Sequence, residues 1–211
     1  MATPDTVSRL TAGLTTLRLG GPAARFVEAR SADEVVAAIR AADDPVLLVG
    51  GGSNLVIADD GWPGTLVRVA STGQQIERDD AGSVVVTIEA GSDWDDVVAA
   101  TVADGLGGLE CLSGIPGRTG ATPVQNVGAY GVEIADVLVD VDLYDRVRDT
   151  VRARVPAAEL GLAYRTSVLK GRSDAVVLRV RLRLSTGGAG APVRYAELAG
   201  TLGVGPGDRV P

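Results

Sequence analysis

The chain contains no histidine, one lysine and one cysteine among its 211 residues. Without histidine, it cannot build a Ser-His-Asp triad, a histidine-ligated metal site or a histidyl bond to a cofactor. The one cysteine, Cys111, excludes an intramolecular disulfide, and we expect a small buried side chain in a protein of a reducing compartment. Aromatic residues make up only 3%, so aliphatic side chains must fill the core.

Acidic residues outnumber basic residues, so the formal net charge is -7 at pH 7. This argues against nucleic-acid binding, which needs a basic face. A phosphorylated small molecule is not excluded, because backbone N–H groups hold phosphate without any net positive charge. No apolar run reaches the roughly 18 residues of a spanning helix, and the first residues lack a signal-peptide pattern. We expect a cytoplasmic protein that binds neither nucleic acid nor membranes and holds no metal.

The hydrophobic pattern predicts a mixture of helices and strands. Ser31 opens a helix, and Glu34 stands at the spacing of a capping box. Ser92 is predicted to cap a second helix that ends near Gly105. Strands are predicted at residues 45–49, 56–59, 84–90, 137–145 and 175–184. In the last of these strands the alternation directs three arginines to solvent, namely Arg179, Arg181 and Arg183.

The first segment that suggests chemistry is GGGSNL at residues 50–55, directly after an apolar strand. Three glycines let the backbone adopt positive φ and approach a ligand closely, and successive N–H groups can form an anion-binding nest. The lysine of a P-loop is absent, and no helix pattern follows as in a dinucleotide fingerprint. A tight turn without a ligand is the alternative.

The second segment is SGIPGRTGATPVQNVGAYG at residues 113–131, which has neither a helical nor a strand period. A connection this long without regular structure is usually functional. Its five glycines expose backbone, while Gln125, Asn126 and Tyr130 supply amide and hydroxyl groups. Such a loop suits a large planar ligand with a diphosphate tail. A structural loop is the alternative, although ordering so many glycines is entropically costly.

The third segment is LAYRTSVLK at residues 162–170. Arg165 can pair with a carboxylate or stabilise an enolate, and a structural salt bridge is an equal alternative. Ser167 and Lys170 lie close by in the sequence. Lys170 is either a surface residue or a position where arginine would not serve.

These three segments, with TTLRLGGPAARF before them and VRYAEL after them, resemble the UDP-N-acetylenolpyruvoylglucosamine reductase (MurB) family. The resemblance implies an α+β FAD-binding fold of the vanillyl-alcohol-oxidase/PCMH type. It implies two α+β subdomains, at residues 1–68 and 69–190, that hold FAD noncovalently between them. Residues 191–211 are expected to begin a substrate-binding domain.

The resemblance also implies roles for individual residues. Arg165 matches the arginine that stabilises the enol or enolate of the substrate, and Tyr164 and Tyr195 match substrate-binding tyrosines. The cofactor-binding residues are expected to be Gly50, Gly51, Gly52, Ser53, Asn54, Leu55, Ser113, Ile115, Gly117, Gly120, Val124, Gln125, Asn126, Gly128, Ala129 and Tyr130.

The family reaction reduces UDP-N-acetylglucosamine enolpyruvate to UDP-N-acetylmuramate for peptidoglycan, with NADPH as hydride donor to FAD. The sequence lacks the later family motifs that carry the proton-donating serine and a catalytic glutamate. We therefore expect FAD binding without the complete reaction, in a piece of an enzyme that is monomeric when complete. The alternatives are a noncatalytic flavin-binding module and another flavin oxidase of the same superfamily.

Overall fold

The structure is a computed structural model that describes residues 9–78 and 84–210. Its helices are α1 (Ala32–Arg40), α2 (Trp94–Ala103) and α3 (Ala196–Leu202). Its strands are β1 (Arg9–Leu10), β2 (Pro22–Ala29), β3 (Val46–Val49), β4 (Trp62–Val69), β5 (Gln74–Arg78), β6 (Val84–Glu89), β7 (Gly128–Ala129), β8 (Val132–Glu133), β9 (Leu138–Asp145), β10 (Thr150–Pro156) and β11 (Ala175–Leu184). Short 3-10 turns lie at Thr11–Leu14, Glu110–Leu112, Thr119–Ala121, Ile134–Asp136 and Ala157–Leu160.

The first sheet has the strand order β1-β2-β4-β3. β2, β4 and β3 are parallel, and β1 pairs with β2 in the antiparallel sense. A small apolar cluster lies against this sheet and includes Phe26, Val49 and Leu66. Because β2, β3 and β4 are parallel, their carboxyl ends lie at the same edge of the sheet. The glycine segment that follows β3 begins at this edge.

The second sheet is antiparallel throughout, with the strand order β10-β9-β11-β6-β5. One face packs against α2 and the long loop after it, and the core there is mainly aliphatic, as predicted. Trp94 is the largest buried side chain, and its indole N–H donates to the Leu112 carbonyl at 3.0 Å. This bond joins the start of α2 to the beginning of the long loop.

α1 packs between the two sheets. Its buried residues Val35 and Ile39 share a cluster with Val67 of β4 and with Val176 and Leu178 of β11. At the end of the helix, Arg40 Nε lies 2.6 Å from Asp149 Oδ1, which also accepts from Tyr144. These contacts hold the two sheets together. The carboxyl ends of β3 and β6 lie on the same side of the molecule.

The predicted helix caps need two corrections. The Ser31 hydroxyl does accept from the Glu34 N–H, but the Glu34 carboxylate accepts from the Arg30 N–H, so the capping box is not completed on Ser31. The second helix is capped by Asp93 and not by Ser92, whose hydroxyl is bonded to Gly73. The predicted end at Gly105 is confirmed by its left-handed φ of 69°.

The predicted strand at residues 56–59 is wrong. The Ala58 carbonyl accepts from the N–H groups of both Gly21 and Gly61, so the chain turns here before β4 begins at Trp62. The first unit is still strand, glycine loop and strand, with the second strand several residues later than predicted.

The expectation that all three arginines of β11 face water is also wrong. Arg183 is exposed and Arg179 is partly buried, but Arg181 is only 8% exposed. The register of the sheet places Arg181 opposite Asp140 of β9 and Arg179 opposite Asp142. Each positive charge therefore lies beside a negative charge on the same face. Among the residues described, no helix is long and apolar enough to cross a membrane.

Candidate functional site

The glycine segment at residues 50–55 turns directly after buried Val49. Gly52 has a φ of +67°, and a Cβ on it would lie 1.8 Å from the Leu14 carbonyl oxygen. The Gly52 carbonyl accepts from the Thr16 N–H at 3.2 Å. Only glycine fits here, because both the backbone conformation and the neighbouring carbonyl exclude a side chain.

The amides of this segment are not used by the fold. The backbone N–H groups of residues 51–54 donate to no other backbone group among the described residues. Unpaired successive amides can bind an anion, whereas unpaired amides without a ligand or water are unfavourable. Ser53 and Asn54 are exposed, so water can also satisfy their amides, and a tight turn without a ligand stays the alternative.

The second segment, residues 113–131, crosses directly over the first. A Cβ on Gly51 would lie 3.1 Å from Gly117 Cα, and one on Gly50 would lie 3.2 Å from Arg118 Cγ. The Ser53 hydroxyl donates to the Pro116 carbonyl at 3.3 Å. The many glycines of the two segments therefore let two stretches of backbone pass in contact and form one wall.

Arg118 lies at the centre of this wall, although sequence reasoning did not single it out as a site residue. Its Nη1 is 3.2 Å from Asp93 Oδ2, and its side chain is 26% exposed. The signal that could have found it is its position as the one charged residue in the stretch 113–131.

Three cavities meet at the glycine segments. One of about 230 Å³ is largely apolar and includes Leu48, Val69, Ala90, Gly120, Val124, Leu169 and Val176. One of about 190 Å³ includes Thr15, Thr16, Gly51 and Arg68. One of about 320 Å³ includes Ser53, Asp93, Asp95, Ile115 and Gly117. Gly50 or Gly51 lines each of them, so they form one cleft of the size of a ligand pocket, roughly 300–1,000 Å³.

Asp95 stabilises the polar end of the cleft. Its Oδ1 accepts from the Gly114 N–H at 2.7 Å and from the Ser113 hydroxyl at 2.8 Å. These two hydrogen bonds, the backbone one first, lower the pKa of the Asp95 carboxyl below its ordinary value. The carboxylate thus fixes the path of the loop at its first turn.

Asn126 is part of the scaffold. It is fully buried with a left-handed φ of 46°. Its amide donates to Glu133 at 2.7 Å and to the Ala163 carbonyl at 3.1 Å, and its oxygen accepts from the Ala135 N–H. The side chain of Asn126 therefore holds the loop in place, and its predicted contact with the cofactor stays a prediction.

The third segment is packed along the second. The Ser167 hydroxyl donates to the Val124 carbonyl at 2.6 Å, and Arg165 Nη2 donates to the Gly128 carbonyl at 2.5 Å. Lys170, which is exposed, donates to the Arg165 carbonyl at 2.8 Å. Within the described part of the chain, Arg165 pairs with no carboxylate, so the expected alternative of a structural salt bridge finds no support. Its guanidinium lies over the Tyr164 ring instead, 5.6 Å from the ring centre.

Tyr195 lies against the far end of the second segment. Its ring meets that of Tyr130 edge to face, with centroids 6.2 Å apart. Next to it, Arg194 Nη1 donates to the Gly131 carbonyl at 2.8 Å. Tyr164, Tyr195 and Arg165 do not line the three cavities of the cleft. The three segments, with TTLRLGGPAARF and VRYAEL, nevertheless contact one another in one continuous series.

A protein-family model described as FAD binding domain matches residues 23–153, which is more than half of the chain. The chain belongs to this family. The FAD-binding α+β fold expected from the sequence is thereby confirmed. A VAO-type flavoprotein from Myceliophthora thermophila, at 19% identity and a TM-score of 0.54, shares the fold over 80% of this chain and 33% of its own.

Closer relatives of this FAD binding domain carry the name UDP-N-acetylenolpyruvoylglucosamine reductase. The protein from Saccharopolyspora erythraea is 60% identical over 94% of this chain and 55% of its own length. The one from Thermobifida fusca is 52% identical over 95% of this chain and 57% of its own length. The crystal structure of the reductase (MurB) from Thermus caldophilus has a TM-score of 0.68 at 30% identity, covering 87% of this chain and 64% of its own. The chain thus spans about half the length of the curated relatives it matches.

The cleft of this FAD binding domain fits its cofactor in chemical character. Unused amides beside Arg118 suit a diphosphate, and the apolar cavity suits a planar ring system. Seven predicted cofactor residues line the cleft: Gly50, Gly51, Ser53, Ile115, Gly117, Gly120 and Val124. The other predicted cofactor residues lie outside its three cavities. Sequence reasoning missed the contributions of Thr15, Thr16, Leu48, Arg68, Ala90 and Val176, because the ends of parallel and antiparallel strands meet here only after folding.

Proposed function

We propose that this chain is the FAD-binding part of a UDP-N-acetylenolpyruvoylglucosamine reductase, the MurB enzyme of peptidoglycan synthesis. The observation that carries the proposal is the convergence of the sequence segments that resemble this family on one glycine-lined cleft. The reductase names of relatives at 52–60% identity support it. The substrate is then UDP-N-acetylglucosamine enolpyruvate, and NADPH is the hydride donor.

Bound noncovalently in the cleft, FAD supplies hydride transfer between NADPH and the enolpyruvyl group. The amides of residues 51–54 would hold the diphosphate, and the loop around Val124 would line the ring system. The order of the strands supports a subdomain boundary near residue 68. The last strand of the first sheet ends at Val69, and the first strand of the second sheet begins at Gln74. The boundary at residue 190 remains a prediction.

Arg165 is proposed to stabilise negative charge on the enolate oxygen of the substrate. Its guanidinium is fixed by the Gly128 carbonyl and the Tyr164 ring, so the charge is positioned before the substrate arrives. Exposed Tyr164 and Tyr195 are proposed to contact the UDP-sugar. The whole protein is proposed to be a cytoplasmic monomer without affinity for nucleic acid or membranes, in line with the net charge of -7.

The proposal is tested with the protein encoded by the full natural reading frame, loaded with FAD. It should oxidise NADPH only when UDP-N-acetylglucosamine enolpyruvate is present. The Arg165→Ala variant should keep its flavin spectrum and lose most of its turnover, roughly 100-fold or more. The matched control Arg152→Ala, which changes a surface ion pair, should keep both.

Two results would count against this function. A folded, flavin-loaded protein without substrate-dependent NADPH oxidation would support the flavin-binding module instead. Turnover with molecular oxygen and an alcohol, without use of NADPH, would support another flavin oxidase.

A further inference from the structure

Arg118 has donors that the fold does not use. Among the described residues its guanidinium donates no hydrogen bond and meets only Asp93, as an ion pair at 3.2 Å. Other arginines of the cleft are hydrogen-bonded to carboxylates: Arg68 to Glu28 at 2.9 Å, and Arg172 to both oxygens of Asp174. A guanidinium carries five N–H donors, so most of those on Arg118 remain available.

Arg118 also lies where the three cavities of the cleft meet. It lines all three cavities, whereas Arg68 and Arg172 line one each. Its stem lies next to Gly50, where an added Cβ would be 3.2 Å from Arg118 Cγ and 3.4 Å from Arg118 Cβ. Arg118 also lines one cavity together with Gly51 and Ser53 of the glycine segment.

We propose that Arg118 is a ligand-contacting residue that exchanges Asp93 for the phosphate oxygens of the bound dinucleotide. The inference rests on the proposed function, since it assumes that the cleft holds FAD. A planar guanidinium suits phosphate because it can donate two parallel hydrogen bonds. Asp93 then sets the affinity, because it competes with the ligand for the same cation.

Asp93 can be changed without loss of its structural role. It caps α2, and its carboxylate accepts from the Asp95 N–H at 3.1 Å. Asparagine caps helices about as well as aspartate, so Asp93→Asn removes the competing charge and keeps the cap. Arg118→Gln likewise keeps the stem that packs on Gly50 and removes the cation.

The experiment measures dissociation constants for FAD and for riboflavin, which lacks both phosphates, by quenching of flavin fluorescence. Arg118→Gln should weaken FAD binding about 10- to 100-fold and change riboflavin binding less than about twofold. Asp93→Asn should tighten FAD binding about two- to fivefold, the strength of a partly exposed ion pair. The double variant should match Arg118→Gln alone. Arg152→Gln makes the same charge change at a surface ion pair and should match the unmodified chain.

The outcomes separate this inference from the proposed function. Equal losses for FAD and riboflavin would show that Arg118 only shapes the cleft, and FAD binding insensitive to Arg118→Gln would overturn the inference while keeping the proposed function. No FAD binding by the unmodified chain would overturn both. If circular dichroism shows that Arg118→Gln does not fold, Asp93→Asn decides, and unchanged FAD affinity in that variant would contradict the competition.

Discussion

The outer face of the second sheet and the glycine-lined cleft both carry charged groups, but they use them in opposite ways. On the sheet, Arg181 makes hydrogen bonds to Asp140 at 2.7 Å and to both oxygens of Asp142. In the cleft, the Arg118 guanidinium donates no hydrogen bond to a described residue and forms only an ion pair with Asp93. The sheet network satisfies itself and stabilises the fold, whereas the cleft keeps donors for a ligand.

Cavity size does not separate the two regions. The hollow on the sheet face is about 470 Å³, larger than any of the three cavities of the cleft. Its arginines are paired, since Arg179 donates to Glu89 at 2.6 Å. One exception is Glu89 Oε2, which is buried without a partner in the described part of the chain. The free donors of the Arg118 guanidinium, and not cavity volume, therefore distinguish the cleft from the sheet face.

The largest expected effect tests whether the cleft depends on close backbone approach. Gly52→Ala should destabilise the protein by more than about 4 kcal/mol and abolish flavin binding, because its Cβ would lie 1.8 Å from the Leu14 oxygen. Gly114→Ala is the matched control, with a φ of +76° and no atom within 4 Å of the added Cβ. It should cost only about 1–2 kcal/mol for the left-handed conformation. Urea unfolding gives both values, and equal losses would refute the steric explanation.

The second effect tests the closed network of the sheet. Arg181→Met should destabilise the fold by about 3–5 kcal/mol at neutral pH, because buried Asp140 and Asp142 then keep only longer ion pairs, to Arg154 at 3.8 Å and to Arg179 at 3.6 Å. Flavin affinity in the folded fraction should not change. Thermal unfolding and a flavin titration measure the two quantities. A loss of flavin affinity with unchanged stability would reverse the roles assigned to the two regions.

The loss of stability in Arg181→Met should also depend on pH. Burial raises the pKa of Asp142, but hydrogen bonds from Arg181 and the Arg154 N–H outweigh it and hold the pKa below its ordinary value. A lowered folded pKa gives stability that is present above the unfolded pKa of about 3.9 and is lost as pH falls through the folded value. Without Arg181, burial raises the folded pKa of Asp142 in the variant, so the difference in stability between the two proteins should shrink as the pH falls from that raised pKa to the lowered pKa of the unmodified chain. A constant difference from pH 7 to pH 3 would contradict this.

Sequence patterns predicted the parts of this molecule that depend on neighbours along the chain. The glycine turn after β3, the strand 84–90 and the helix end at Gly105 needed only local signals. The burial of Arg181 and the location of Arg118 depend on strand register and on loops that meet after folding, so no local pattern contained them. Ser92 and Asp93 are both good caps, and contact with Gly73 decides between them.

The smallest effect tests the attachment of the third segment to the loop. Ser167→Ala removes the hydroxyl that donates to Val124 and accepts from the Leu169 N–H. Loss of these buried hydrogen bonds should destabilise the protein by about 1–2 kcal/mol. The neighbouring exposed Thr166→Ala should change stability by less than about 0.5 kcal/mol. Identical unfolding curves for the two variants would mean that Ser167 does not hold the segment.

The most direct test of the central claim is the visible absorption spectrum of the purified chain, followed by acid release of any chromophore. We predict flavin bands, either as purified or after addition of FAD. Denaturation should release FAD intact, because the chain has no histidine to bond it and its one cysteine, Cys111, does not line the cleft. A folded, colourless chain that takes up no FAD would contradict the assignment of the glycine-lined cleft to the cofactor.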